Sequence, residues 1–404
     1  MPAMYNHPFI EKLLDGTNVQ WMPLGEIGTL VRGNGLQKKD FVEDGFPAIH
    51  YGQIYTKYGM SAQKTFTFVK DELARKLKQA NYNDLLLATT SENDEDVVKP
   101  LAWLGEAAAI SGDMMLFRHS QNVKYLAYYL QTTLFQEQKR KYITGAKVRR
   151  VSAADLAKLP IPIPCPENPA KSLAIQAEIV RILDAFTERT NELKQELTTE
   201  LTNRKKQYTY YRDLLLTFEE GQVEWKTLGE VATIGTGSRN TNEAVTDGKY
   251  PFFVRSQEPR AINEYEFDET AIITAGDGVG VGKVFHFVMG KYALHQRAYR
   301  IVSSDQCILA RFLFHFIRSD FARYLTTTSV HASVTSLRKP MFEKYPIPIP
   351  PLAEQERIVA ILDKFDALTH SLTEGLPREI ELRQKQYAYY RDLLFSFPKP
   401  GATT

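Results

Sequence analysis

Long polar side chains gather between the apolar runs of this chain. In the first half they are Arg32, Lys38 and Lys39, then His50, Tyr51 and Gln53, then Thr89, Thr90 and Ser91, then Lys147, Arg149 and Arg150. In the second half they are Arg239 and Asn240, then Arg255, Ser256 and Gln257, then Arg297, then His331, Ser333 and Thr335. Arg and Lys donate to guanine O6 and N7, Asn and Gln match the N6/N7 edge of adenine, and Ser, Thr and backbone amides hold phosphates. Singly, each is an ordinary surface residue. Recurrence at matching positions in two stretches of otherwise different sequence is what favours a binding role.

No catalytic constellation accompanies them. Gly276-Asp277-Gly278-Val279-Gly280-Val281-Gly282-Lys283 has the look of a phosphate loop but not its spacing, and Val284 stands where Ser or Thr would hold magnesium. It reads as a turn in which glycines let backbone approach a ligand closely. The acidic run Glu92, Asp94, Glu95, Asp96 lacks the glycine and terminal Glu of a calcium loop. It reads as a solvated turn, or as a place where one carboxylate meets a cytosine amino group. The Asn/Asp-Pro-Pro-Tyr/Phe string of amino-methyltransferases is missing, and the eight histidines are scattered. The expectation is a chain without catalysis, metal or cofactor of its own.

Composition narrows the class. The 404 residues suffice for two or three domains, and the formal net charge is only +2, so any nucleic-acid binding must come from local patches or partner subunits. Two cysteines, Cys165 and Cys307, make no disulfide framework and have no metal-ligand spacing. With no secretory signal and no apolar stretch of membrane-spanning length, the expected setting is cytoplasmic, away from membranes.

The elements that must position the polar clusters repeat. Ile179–Phe218 lies on Ile358–Phe397 without a gap, ending in Lys206-Gln207-Tyr208-Thr209-Tyr210-Tyr211-Arg212-Asp213-Leu214-Leu215 and Lys385-Gln386-Tyr387-Ala388-Tyr389-Tyr390-Arg391-Asp392-Leu393-Leu394. Ile179, Ile182, Phe186, Leu193, Leu197, Tyr208 and Tyr211 recur at steps of three and four, as do Ile358, Ile361, Phe365, Leu372, Tyr387 and Tyr390. That spacing predicts two long helices, roughly 65 Å each, whose stripes cover one another in an antiparallel pair. The alternative is that each stripe packs on its own neighbouring domain. The tyrosines belong to that pair or to a protein-contact face more readily than to base stacking. Gly375 and Pro377 predict a break in the second helix. Glu-Leu recurs at Glu192, Glu196 and Glu200 in the first, which makes it a helical spacer.

Shorter matches extend the repeat. Trp21-Met22-Pro23-Leu24-Gly25-Glu26 answers to Trp225-Lys226-Thr227-Leu228-Gly229-Glu230, and Pro160-Ile161-Pro162-Ile163-Pro164 to Pro346-Ile347-Pro348-Ile349-Pro350. Each globular part mixes short β-type runs, Ala48–Ile54 among them, with one amphipathic helix, Val123–Gln138 or Ile308–Tyr324. The predicted fold class is α+β: two mixed domains related by a pseudo-two-fold and joined by the long antiparallel helices. The expected segments are 1–158 (first domain with a short N-terminal helix), 159–218 (connector and first long helix), 219–345 (second domain) and 346–404 (connector, second helix and tail). Glu11–Gly16 resembles the end of a linker helix, so the two ends of the chain are expected to meet.

Over essentially its whole length the chain resembles the DNA-specificity subunit of type I restriction–modification enzymes, most closely the IC subclass. Carrying the resemblance are the two Trp-x-x-Leu-Gly-Glu strings, the proline connectors, Glu354-Gln355-Glu356-Arg357-Ile358-Val359 and Gln-Tyr-x-Tyr-Tyr-Arg-Asp-Leu-Leu. The first copy departs at its connector, where Cys165–Ser172 is inserted and Gln176 lacks the preceding Glu, which should alter the joint between domain and helix. The resemblance implies a non-catalytic reader of double-stranded DNA with two target recognition domains. It implies two modification subunits carrying S-adenosylmethionine for adenine methylation, and motor–nuclease subunits using ATP and Mg. A coiled-coil scaffold that binds proteins without DNA specificity is the alternative; an enzyme of an unrecognised type is another.

Overall fold

In a computed structural model, residues 8–219, 221–328, 336–370 and 375–398 are described. The chain forms two compact units, Met1–Gln195 with Glu381–Thr404, and Glu196–Ile380. The helix Pro169–Leu215 passes from the first into the second. Its 47 residues make it about 70 Å long. The second copy is broken, Leu352–His370 being followed by Gly375–Leu394. Gly375 has φ +76°, and a Cβ there would lie 2.6 Å from the Ala367 carbonyl, so the break needs glycine. Pro377 falls in the first turn of the new helix, where its missing N–H costs nothing.

In the first unit, one five-stranded sheet is ordered Gly28–Arg32, Met114–His119, Leu85–Ala88, Lys99–Trp103, Ser61–Ala62. A second is ordered Phe41–Val42, Thr67–Val69, Phe46–Ile49, Ala108–Ile110, Gln79–Ala80. The proline connector is itself a strand: Pro160–Pro164 pairs antiparallel with Val19–Pro23, placing Trp21 opposite Pro162. Leu24 N donates to Leu159 O at 3.0 Å and Cys165 N to Asn18 O at 2.8 Å, so the odd-numbered residues face the partner. Prolines at 160, 162 and 164 thus put every missing N–H on the side where no strand pairs. The carbonyls on that side accept from buried tyrosines: Tyr125 Oη donates to Pro162 O at 2.6 Å and Tyr129 Oη to Pro160 O at 3.2 Å. Burial pushes both phenols above their usual range.

The second unit repeats the lock. Pro346–Ile349 pairs with Glu224–Thr227, and Leu228 N donates to Tyr345 O at 2.7 Å. Its six-stranded sheet is ordered Ala232–Thr236, Ala298–Ser303, Phe267–Ala275, Phe285–Leu294, Tyr250–Phe253, Arg260–Ile262, with the helix Ala310–Thr328 against it.

Two predicted elements come out differently. The run Ala48–Ile54 changes from strand to the helix Tyr51–Thr56, because His50 caps it. Val123–Gln138 is two helices, Val123–Tyr129 and Thr133–Arg140, because Thr132 ends one turn by donating to Tyr129 O and starts the next by accepting from Phe135 N. Segments near the two ends meet: Ile10 and Leu14 share a core with Leu394, Phe395 and Phe397, and Trp21 Nε1 donates to Pro398 O at 2.9 Å; residues 1–7 and 399–404 lie outside the described ones.

The helical stripes divide their work. Ile179 and Ile358 are fully buried in the cores of their own globular units, with Ile182 against the same core as Ile179. The helices meet each other through aromatic residues. In the first unit Phe186 stacks on Tyr390 with centroids 5.5 Å apart, and Tyr387 shares a 2.9 Å hydrogen bond with Thr187. In the second unit Tyr208 and Tyr211 lie on Phe365, at 6.2 and 5.8 Å. Ile361 flanks Phe365 in the groove beside Tyr211 and Phe218, so chain order rises on one helix as it falls on the other. Leu193 and Leu197 are half-buried, and Leu372 lies outside the described residues.

A polar joint fastens each globular part to its helix. Asp184 accepts from Lys124 Nζ at 2.6 Å and Tyr128 Oη at 2.8 Å; Asp363, its counterpart, accepts from Arg311 Nε at 2.8 Å and pairs with His315 Nε2 at 2.7 Å. Gln176 and Gln355 are both fully buried. Gln176 Oε1 accepts from Asn122 N at 2.9 Å, and Gln355 Oε1 from Leu309 N at 2.8 Å. The joint is shared on the acceptor side of the glutamine and altered on its donor side: Gln176 Nε2 donates to Gln121 Oε1 at 2.7 Å and to Ser172 Oγ of the insertion at 3.1 Å, where Gln355 Nε2 donates to Cys307 O and Pro350 O, both at 2.8 Å. His315, Asp363 and Asp366 are the grouping among the described residues whose ligand atoms lie close enough for a metal, but Arg311 and Arg318 already sit on the carboxylates.

Candidate nucleic-acid interface

A groove in the first unit collects Lys38, Tyr51, Gln53, Thr90 and Ser91, with Val148 and Glu92 on its walls. Its floor is set by the cap of Tyr51–Thr56. Gly52 N donates to His50 Nδ1 at 3.2 Å, while His50 N donates to Gln53 Oε1 at 2.9 Å. The ring must be neutral to accept, and burial, helped by Lys38, lowers its pKa. Gln53 also donates to Thr67 Oγ1 at 3.2 Å, so its amide is committed to the scaffold.

Beside the groove, Arg149–Arg150 pairs as a strand with Thr90–Ser91. Arg149 Nε lies 2.8 Å from Asp94, and Thr90 Oγ1 donates to Asp113 Oδ1 at 3.3 Å. Thr89 is buried behind them and donates to Asp113 O. Lys39, Lys147 and Arg150 are exposed; Arg32 is exposed too, its Nε donating to Gly112 O at 3.1 Å. Sequence reasoning missed Lys139. It is buried, and its Nζ donates to Glu95 O at 2.8 Å and Val97 O at 2.6 Å, tying down the acidic turn. Burial brings its pKa down to about 8.

In the second unit Arg239 is held by Glu243 and Glu264, both at 3.0 Å, and Asn240 Oδ1 accepts from Gln296 Nε2 at 2.6 Å. Arg255 and Arg297 converge on Asp277, and Gln257 is exposed. The two arginines pull the Asp277 carboxyl below its usual range against the upward push of burial. His331, Ser333 and Thr335 lie outside the described residues. The glycine-rich turn earns its glycines inside the chain, since a Cβ at Gly280 would lie 2.6 Å from the Arg255 carbonyl. Asp277 was passed over because it sat in that false phosphate loop. Its position between two arginine-bearing segments is a tertiary fact without a local signal.

The two sites are built on one backbone plan. Thr89 N donates to Asp113 O at 3.1 Å, and Gly276 N to Arg297 O at 2.9 Å. Arg150 bridges Thr90, and Ser336 bridges Asp277. A single Cβ on Gly33 would strike Ser111 O at 2.1 Å, and one on Gly237 would strike Leu294 O at 1.8 Å. The same three segments converge in each unit while their side chains differ.

The family described as "Type I restriction modification DNA specificity domain" matches residues 17–203 and again 221–382. The chain belongs to that family. A similar specificity subunit is that of the Escherichia coli type I enzyme EcoR124I/EcoR124II, 38% identical over 97% of this chain and 98% of the relative. The Escherichia coli EcoprrI specificity subunit is 32% identical over 91% and 92%. A solved chain described under complex assembly and conformational transition of the type I R-M system has the same fold, with TM-score 0.64 and 15% identity over 93% of this chain and 97% of that one. In a type I specificity subunit the task is DNA recognition. Among the described residues, no helix is long and apolar enough to cross a membrane.

Proposed function

We propose that each unit reads one part of an interrupted, asymmetric DNA target through the convergent loops just described. The observation that carries this is one backbone plan bearing two different sets of donors: Thr90, Ser91, Arg149 and Arg150 in the first unit, Arg255, Gln257 and Arg297 in the second. Different side chains on the same frame read different bases. The exposed Lys38, Lys39 and Lys147 contact phosphates and supply affinity without sequence.

The paired helices set the distance between the two half-sites, and they dock two modification subunits that bring S-adenosylmethionine and methylate adenine. Motor–nuclease subunits, with ATP and Mg, join for cleavage. The chain itself performs no catalysis and works in the cytoplasm. The boundaries that suit domain exchange are 1–158 and 219–345, with connectors and helices at 159–218 and 346–404.

Methylome sequencing of cells expressing the chain with its modification subunit is the test. A two-part motif with methyladenine in each part, one part changed on exchanging one globular domain, is the expected result. Active modification subunits that leave no motif would overturn the proposal and point to a protein-binding scaffold.

A further inference from the structure

Two arginines in the second unit share one carboxylate. Arg255 Nη1 donates to Asp277 Oδ1 at 2.7 Å, and Arg297 Nη1 donates to Asp277 Oδ2 at 3.2 Å. The aspartate side chain is 22% exposed, the arginines 42% and 63%. Each guanidinium gives one N–H to the carboxylate, and neither makes another side-chain bond to the described residues. One arginine would neutralise Asp277. The second adds a net positive charge and loses rotamer freedom at an open rim.

The backbone beneath is held on three sides. Gly276 N donates to Arg297 O at 2.9 Å, Leu337 N to Gly276 O at 2.7 Å, and Arg297 N to His295 Nδ1 at 3.0 Å. A Cβ on Gly276 would lie 2.6 Å from Arg297 O, so this approach requires glycine. The carboxylate thus sits on a held backbone and tethers one N–H of each fork before any ligand arrives, which lowers the ordering cost of binding.

We infer that Arg255 and Arg297 each read a guanine in the half-site met by the second unit, with Asp277 the positioning residue that sets both forks. This rests on the DNA-reading proposal above and adds the base to it. A free guanidinium edge presents two parallel N–H groups, the match for guanine O6 and N7. A phosphate at the same place would be brought toward the Asp277 carboxylate, a like charge, whereas guanine is a neutral acceptor. The first unit has Thr90 and Asp113 at the corresponding positions and no such arginine pair. The two halves of the target therefore differ at this place.

The test uses the assembled methyltransferase complex. Arg255→Lys and Arg297→Lys are expected each to relax one G·C position of the second half-site, by roughly 10- to 100-fold in discrimination. Asp277→Asn is expected to relax both positions and leave the first half of the methylation motif unchanged. With the unaltered protein, duplexes carrying 7-deazaguanine at those two positions should bind more weakly, because N7 is gone. Equal binding of 7-deazaguanine duplexes overturns the inference. So do Arg255→Gln and Arg297→Gln variants, which remove the charge, if they weaken all sequences alike and lower the salt slope by about one each, the mark of phosphate contacts. Absence of any motif from the unaltered complex would instead remove the DNA-reading proposal, and this inference with it.

Discussion

The hydroxyl of Tyr125 donates to the carbonyl of Pro162 at 2.6 Å, inside a core from which water is excluded. Tyr125→Phe keeps the ring and removes the donor, leaving a buried carbonyl unsatisfied. Loss of about 1–3 kcal/mol of stability is expected. Differential scanning calorimetry against Tyr82→Phe, an exposed tyrosine, measures it; an equal Tm in the two variants would refute the role given to Tyr125.

Lys139→Met removes the ammonium that binds Glu95 O and Val97 O. The Ser91–Val97 turn should loosen, with faster amide exchange there and weaker DNA binding. The second half of a methylation motif should stay intact. Hydrogen exchange compares the variant complex with the unaltered one, and unchanged protection at residues 91–97 would contradict the assignment.

His119 gives the fold an acid sensitivity. Burial holds its pKa down to about 4, while an unfolded histidine titrates near 6.5. The folded state therefore favours the neutral ring, and its contribution is complete above about pH 6.5 and declines as pH falls toward 4. Nδ1 accepts from Gln121 N at 3.1 Å, a bond an asparagine oxygen can replace. Tm measured from pH 7.5 to 4.5 should fall less steeply in His119→Asn than in the unaltered protein.

Deleting Thr198–Leu201 removes one tetrad, about 6 Å of helix. The preferred gap between half-sites should shorten by one or two base pairs with both halves retained, as methylome sequencing would read directly. An unchanged gap would mean that the helix does not set it.

What could be read before the fold was known followed periodicity. The stripe from Ile179 to Tyr211, its copy from Ile358 to Tyr390 and the break at Gly375 are local patterns, and local patterns survive in a string of letters. The proline connector is different. Alternating prolines look like coil until a partner strand shows that every missing N–H faces the same way. The cap at His50 was hidden because a histidine there competes with the β-preference of its neighbours. Among the donors, the sequence could nominate Arg255 and Arg297, since exposed arginines in loops are visible. It could not pair them, because Asp277 reaches them only after Tyr250–Phe253, Phe267–Ala275 and Ala298–Ser303 have joined one sheet. Gln53 shows the converse: a plausible base reader by type, it is engaged in holding up the helix beside it.

The core shared by Ile10, Leu14, Phe395 and Phe397 has a consequence for synthesis. In the first unit Pro160–Pro164 can meet Val19–Pro23 before Glu224–Thr227, the strand that pairs with the second connector, has left the ribosome. Yet it lacks part of its interior until the last residues emerge. The second unit, continuous from Glu196 to Ile380, has its whole interior earlier. The half of the protein that starts first finishes last, and during that interval its open apolar face is the surface most in need of shelter.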